Sequence, residues 1–251
     1  MTPQMIPENT PALPPTPVAM SEPARLAGVF VSPSSTFPDI VRRPRWWIPL
    51  ILIAIVSSLV ATTYGRKIGW DKLIRTQIEQ SQRNDQMTPE QRENAVRIGT
   101  TIASFAGYFS PVTVAILILL VSAGLIFIFN TLMGAELQFP SMMGIVSYSF
   151  LPSIVSGLLT LLVMYLKDPE DFDLQRPLAF NVGAFLPDGL PRWAVQLGTS
   201  IDLFSFWTMA LIAIGVSSAV RKIGFGKAFM AVVVPWAVIL LLRTLATIAF
   251  S

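Results

Sequence analysis

Five long apolar runs dominate the chain, and polar residues gather between them instead of alternating with them. The runs cover about 46–64, 111–133, 143–166, 201–220 and 228–250. Each is close to the roughly 20 apolar residues that an α-helix needs to cross a hydrocarbon core of about 30 Å. In lipid, backbone polar groups must be satisfied within the segment, which selects helix for every run. The pattern predicts an all-α fold: a polytopic transmembrane helix bundle with about five spanning helices, and short extramembrane helices in the first long loop.

The borders of the runs carry their own signals. Trp46 and Trp47 sit where interfacial aromatics belong, Pro49 falls in the first helical turn, and Arg66 and Lys67 close the first run. Thr88-Pro89-Glu90-Gln91 reads as a helix start: a cap, a proline at the first position and a capping-box glutamine. Ala95, Val96, Gly99, Ile102 and Ala103 follow at helical spacing, and Leu73, Ile74 and Ile78 mark a weaker helical face before it. Two short helices are expected there, with a break near Asp85–Thr88, packed on the membrane surface or on the ends of the spans. The short link Gly134–Ser141 makes the second and third spans an antiparallel hairpin. A tight turn holding Gly224 and Gly226 does the same for the last two.

The third run is the most polar. Ser147, Tyr148, Ser149, Pro152, Ser153, Ser156 and Gly157 crowd its first half. Pro152 removes a backbone hydrogen bond and should bend the helix. Ser149, Ser153 and Gly157 recur every four residues and form a small-residue ladder for close helix approach. Two readings follow: a packed, kinked helix whose hydroxyls bond its own carbonyls, which is favoured, or the wall of a substrate path.

Residues 1–24 contain seven prolines and few aliphatics. Such a segment cannot bury enough surface to offset chain entropy, so it is expected to be a disordered proline-rich tail. Its PxxP spacing at Pro11–Pro17 fits an aromatic groove on a partner, although a solvated linker is the plainer reading. Residues 25–45 alternate apolar positions with Pro33 and Pro38 and end in Arg42, Arg43 and Arg45. This predicts a broken amphipathic segment lying on the membrane surface, against the alternative of a polar lead-in to the first span.

Composition narrows the chemistry. Hydrophobic residues make up 53% of the chain and charged residues 13%, about half the charge of an ordinary soluble domain. With no cysteine and no histidine, disulfides, thiol catalysis, His-based triads and thiolate or imidazole metal sites are excluded. The acidic stretch Asp168, Glu170, Asp171 and Asp173 lacks the glycine and terminal glutamate of an EF-hand loop and reads as a solvated face. No cofactor motif is present, no enzyme is expected, and no basic aromatic groove suggests nucleic acid. The net charge of +3 comes from short basic flanks suited to a membrane surface.

Arg243 stands well inside the fifth run. A mid-membrane charge costs at least ~2.5–3.5 kcal/mol on insertion scales, so it needs a partner or a route to water. Asp202 opens the fourth run nineteen residues before the Arg221–Lys227 turn, and Arg243 lies sixteen residues after it. The two therefore differ in depth by only about 4–5 Å. An Asp202–Arg243 ion pair tying the last two helices is one reading. Snorkelling of Arg243 to the interface is the other.

Three segments in this order resemble the Yip family, the Ypt/Rab-GTPase-interacting membrane proteins and their prokaryotic relatives. They are Ser32-Pro33-Ser34-Ser35-Thr36-Phe37 ahead of Arg45-Trp46-Trp47-Ile48-Pro49-Leu50, then Tyr148-Ser149-Phe150-Leu151-Pro152, then Asp202-Leu203-Phe204-Ser205-Phe206-Trp207. The resemblance covers residues 25–251, which form the membrane domain. It implies five packed helices and a cytoplasmic N-terminus in, for a prokaryotic-type member, the bacterial inner membrane. Eukaryotic relatives are implicated in vesicle trafficking and bind prenylated Rab GTPases. No GTPase-contacting residue carries over to this sequence.

The leading expectation is a non-enzymatic scaffold or adaptor in the lipid bilayer, linked to membrane organisation or trafficking, with membrane or cytosolic proteins as partners. The alternative is a small transporter or channel using the polar half of the third span. That alternative predicts a water-filled cavity lined by Ser147, Tyr148, Ser149 and Ser153, where the scaffold predicts packed, dry groups.

Overall fold

The structure, a computed structural model, describes residues 19–79, 87–172, 177–187 and 189–250. The proline-rich stretch before residue 19, most of the break expected ahead of Thr88, and Asp173 lie outside the described residues. Among the described residues the regular elements are helical, apart from an isolated antiparallel bridge between Asn181 and Asp202.

Four helical segments are long and apolar enough to cross a membrane. The first is α3 (Trp47–Lys67). The second is α6 (Ser110–Phe127), continued by a π-turn over Ile128–Leu132. The third is α7 (Phe139–Ser149) with α8 (Pro152–Leu166), and the fourth is α11 (Phe225–Phe250). The fifth expected span is α10 (Leu203–Ala219), a mostly apolar helix whose 17 residues rise about 25 Å and sit at the lower end of the spanning range.

The bend expected in the third span occurs where Pro152 opens α8. Phe150 and Leu151 are held by tight turns, with Leu151 N–H donating to the Tyr148 carbonyl at 3.2 Å and Ser153 N–H to Phe150 at 2.9 Å. A proline at the first helical position has no amide to satisfy, so the break is placed where it costs least. The turn between α6 and α7 is clamped by Asn130, whose side chain exchanges two hydrogen bonds with Leu137 at 2.9 and 3.0 Å.

The first long loop holds α4 (Trp70–Glu79) and α5 (Pro89–Tyr108). The capping box is present as expected: Gln91 N–H donates to the Thr88 hydroxyl at 3.2 Å, and Thr88 N–H to the Gln91 side chain at 2.9 Å. The segment 167–200, which lies between the third and fourth apolar runs, contains a 3-10 turn over Val182–Phe185 and α9 (Arg192–Ser200). The α9 helix packs on α11, where the Thr247 hydroxyl donates to the Gln196 side chain at 2.5 Å.

Residues 22–42 differ most from expectation. They form α1 (Glu22–Val31) and α2 (Pro33–Arg42), which fold back on one another about Ser32. The start at Glu22 lies inside the stretch expected to be disordered. Ser21 caps α1 by accepting from Ala24 N–H at 3.4 Å, and Pro23 occupies its first turn. The pair is not spread on the membrane surface: Val29, Thr36, Phe37 and Ile40 are fully buried, and α2 packs against α7 and α10.

The register of these contacts shows how the hairpin enters the bundle. The Ser141 hydroxyl, near the start of α7, donates to the Val41 carbonyl at 3.2 Å. Deeper along α10, Phe37 packs on Gly215, and Phe30 meets Trp207 edge-to-face at 5.6 Å. Trp207 lies eight residues from Gly215, about 12 Å of helical rise. The fold-back therefore descends into the bundle from the end that carries Arg43, Arg45, Arg221 and Lys222, here termed the arginine end. At that end Lys222 donates to the Gly134 carbonyl, joining the two short turns. The long loops with α4, α5 and α9 occupy the opposite end, where Lys72 donates to the carbonyls of Pro169 and Glu170.

Packing inside lipid gains little from the hydrophobic effect and depends on close approach. Three glycines provide it. A Cβ on Gly215 would lie 2.6 Å from Ile145 and 3.0 Å from Phe37, and one on Gly157 would lie 2.6 Å from Val56. Gly144 brings α7 against Pro44 and Ile40, at 3.2 and 3.3 Å from the same position.

Candidate functional site

The fold-back carries a buried charge cluster. Arg25 is 1% exposed. Its Nε and one Nη each approach Asp39 Oδ2 at 2.7 Å, and its other Nη donates to Glu22 Oε1 at 3.0 Å and to the Arg43 carbonyl at 3.1 Å. Glu22 in turn accepts the Tyr148 hydroxyl at 2.7 Å and pairs with Arg45 at 3.2 Å. Two carboxylates face two guanidinium groups, so the cluster is charge-balanced. Arg45, 58% exposed, leads it out to the surface.

Local sequence explains why these groups meet. Arg25 and Asp39 stand seven residues either side of Ser32, and Gly28 and Thr36 four either side. At Gly28 a Cβ would lie 2.3 Å from the Thr36 hydroxyl, so glycine lets the two helices touch and sets the register of the pair. Burial acts to lower the pKa of Arg25, but its hydrogen bond to Asp39 and the charges of Glu22 and Asp39 outweigh it. The guanidinium is thus held charged above its ordinary value. Tyr148 then fastens the hairpin to α7 across 126 residues of sequence. The arrangement can fix the position of the N-terminal segment against the spans.

The residues singled out from sequence are placed as follows. Ser147 and Ser149 are fully buried, and their hydroxyls have no hydrogen-bond partner among the described residues. Ser153 donates to the Phe150 carbonyl at 2.7 Å, the back-bonding expected of a packed helix. Pro152 begins α8, and Gly157 faces Val56 of α3. Asp202 and Arg243 are not brought together. Asp202 caps α10, accepting Ser205 N–H at 3.0 Å and the Ser205 hydroxyl as well. Arg243 is exposed on α11 and forms no salt bridge among the described residues. Asp202 is turned toward its own helix terminus.

Glu22, Arg25, Asp39 and Tyr148 were missed as a group. One signal was available: Ser21-Glu22-Pro23 has the cap, acid and proline of a helix start, like Thr88-Pro89-Glu90.

A second feature is a groove of about 440 Å³ between α3, α6 and α8, reaching α5 and Trp70 at its upper end. Ser153, Ser156 and Gly157 lie on its wall, whereas Ser147, Tyr148 and Ser149 do not.

The segments that carried the family resemblance converge on the fold-back. Ser32–Phe37 forms its turn and the first half of α2, Arg45 and Tyr148 both bind Glu22, and Trp207 packs on Phe30. The family model of the Yip1 domain matches residues 27–246. A curated relative, "Membrane protein YknW" of Bacillus subtilis (strain 168), is 26% identical over 196 residues, covering 78% of this chain and 78% of its own length. No solved structure matches the chain. An all-helical bundle of membrane-spanning segments, with the family model covering most of the sequence, makes this chain a member of the Yip1 domain family.

Proposed function

We propose that this chain is a non-enzymatic membrane scaffold or adaptor linked to membrane organisation or trafficking, resident in the bacterial inner membrane with its N-terminus in the cytoplasm. The observation that carries this reading is the closure of the polar interior. Arg25, Ser147, Tyr148 and Ser149 are all at most 1% exposed, and the charges among the cluster's four ionised side chains are balanced. A transporter working through the third span would present Ser147, Tyr148, Ser149 and Ser153 together to a water-filled path, whereas only Ser153 of the four borders the groove beside α3. The orientation is the one the family resemblance implies, and the three arginines directly ahead of the first span, Arg42, Arg43 and Arg45, favour it. Partners on this reading are cytosolic or membrane proteins, met at the arginine end and the N-terminal tail.

Crosslinking in native membranes, paired with solute flux measurements in proteoliposomes, tests the function. Specific protein partners without flux fit an adaptor. Solute flux without a captured partner overturns it in favour of a transporter. Labelling of an N-terminal tag from outside the cell reverses the orientation.

A further inference from the structure

The groove beside α3 has the dimensions and surroundings of a lipid site. Its α3 wall runs from Ile53 to Tyr64, eleven residues or about 16 Å of rise, which matches one half of a hydrocarbon core of about 30 Å. Val56 and Val60 on α3, Val114 and Leu117 on α6, and Ile154 on α8 make its sides apolar. Leu117 is 47% exposed, so the groove is continuous with the lipid-facing surface of the spans. Lipid is therefore the solvent at its opening.

The mouth of the groove is of a different character. Tyr64, Trp70 and Tyr108 cluster there, with ring centroids 4.7 Å apart for Tyr64–Trp70 and 5.9 Å for Trp70–Tyr108. Aromatic groups of this kind mark the level of the headgroups. Lys67 continues the α3 stripe of Ile53, Ser57, Val60 and Tyr64 by one more turn, which places it on the same face of the helix, one turn beyond the groove. It lies 4.9 Å from the centroid of Tyr165, at the end of α8. An apolar slot one leaflet deep, with a cation one helical turn beyond its aromatic end, is complementary to an acyl chain joined to an anionic phosphate.

We propose that this groove binds one acyl chain of an anionic glycerophospholipid, with Lys67 at the phosphate. The site goes beyond the adaptor reading and stands without it.

Native mass spectrometry of the delipidated full chain in detergent tests it, titrating phosphatidylglycerol against chain-matched phosphatidylcholine. The expected result is one tightly held phosphatidylglycerol per chain. Lys67→Gln should remove a preference of about fivefold over phosphatidylcholine, the contribution of one cation near a headgroup. Leu117→Trp should fill the slot and abolish the adduct of either lipid. Val56→Phe fills it from the other wall and replaces Leu117→Trp if that variant is not monodisperse and helical. Equal binding of the two lipids by the unmodified chain overturns the proposal. So does an adduct that survives a folded slot-filling variant.

Discussion

Arg25 and Asp39 close the α1–α2 fold-back with a 2.7 Å ion pair in which the arginine is 1% exposed. A buried pair of this kind contributes little over a well-packed apolar pair, but breaking it leaves an uncompensated charge. Asp39→Asn is therefore expected to destabilise the protein by about 3–5 kcal/mol. Replacing both partners at once, with Arg25→Met and Asp39→Leu, should recover most of that loss. Thermal unfolding of the purified protein in detergent, followed by helical circular dichroism, measures both. A single variant as stable as the parent would mean that the pair does not hold the fold-back.

Tyr148 and Glu22 connect the hairpin to α7 by one charge-assisted hydrogen bond of 2.7 Å. Tyr148→Phe keeps the ring and removes the donor, at a cost of about 1.5–3 kcal/mol. The loss should be local, because α7 retains its packing on α6 and α10. Limited proteolysis is the appropriate measurement. Cleavage within residues 22–42 is expected to accelerate in Tyr148→Phe while sites in the 134–138 turn keep their parental rate.

The spans were legible because lipid imposes one simple requirement. The nearly pure aliphatic centre of α6 satisfies it with no reference to the rest of the chain. Thr88–Gln91 and Pro152 were legible for a similar reason, since a cap and a helix-opening proline act on their own backbone. The fold-back was not, and its periodicity explains why. An apolar face on a short helix shows that the face is covered, but not whether lipid or protein covers it. The pattern of residues 25–45 fits the bilayer surface equally well, whereas Phe37 and Ile40 are buried on a helix that packs against α7 and α10. The charge cluster needed Asp39 to return fourteen residues after Arg25, and Tyr148 to arrive from another span. Neither is a local signal.

Asp202 and Arg243 illustrate the same limit from the other direction. Residue counting brings their depths to within about 5 Å but carries no information on rotation about the helix axes. Asp202 is spent on the amide of Ser205 and Arg243 faces outward, so their substitutions are expected to be independent. Asp202→Ala should cost about 1 kcal/mol as a lost helix cap. In a double-mutant cycle with Arg243→Gln the two effects should add within about 0.5 kcal/mol. A coupling clearly above that, measured by unfolding in detergent, would restore the ion pair.

Gly28 and Thr36 set the separation of α1 and α2, which gives a prediction independent of charge. A methyl at position 28 would sit 2.3 Å from the Thr36 hydroxyl and 3.2 Å from its methyl. Thr36 is fully buried and its hydroxyl donates to the Ser32 carbonyl at 3.0 Å, so it has little freedom to turn away. Gly28→Ala should therefore push the helices apart, costing about 1–3 kcal/mol as overpacking. The Arg25–Asp39 pair, one turn nearer the surface, should loosen with it. Thr36→Ala alone removes one hydrogen bond, a smaller loss of about 1 kcal/mol. Combined with Gly28→Ala it also makes room for the new methyl, so the double variant should be more stable than Gly28→Ala by itself. Thermal unfolding of the three variants distinguishes this from a simple helix-propensity effect. On propensity alone alanine at position 28 would be favourable, and adding Thr36→Ala would rescue nothing.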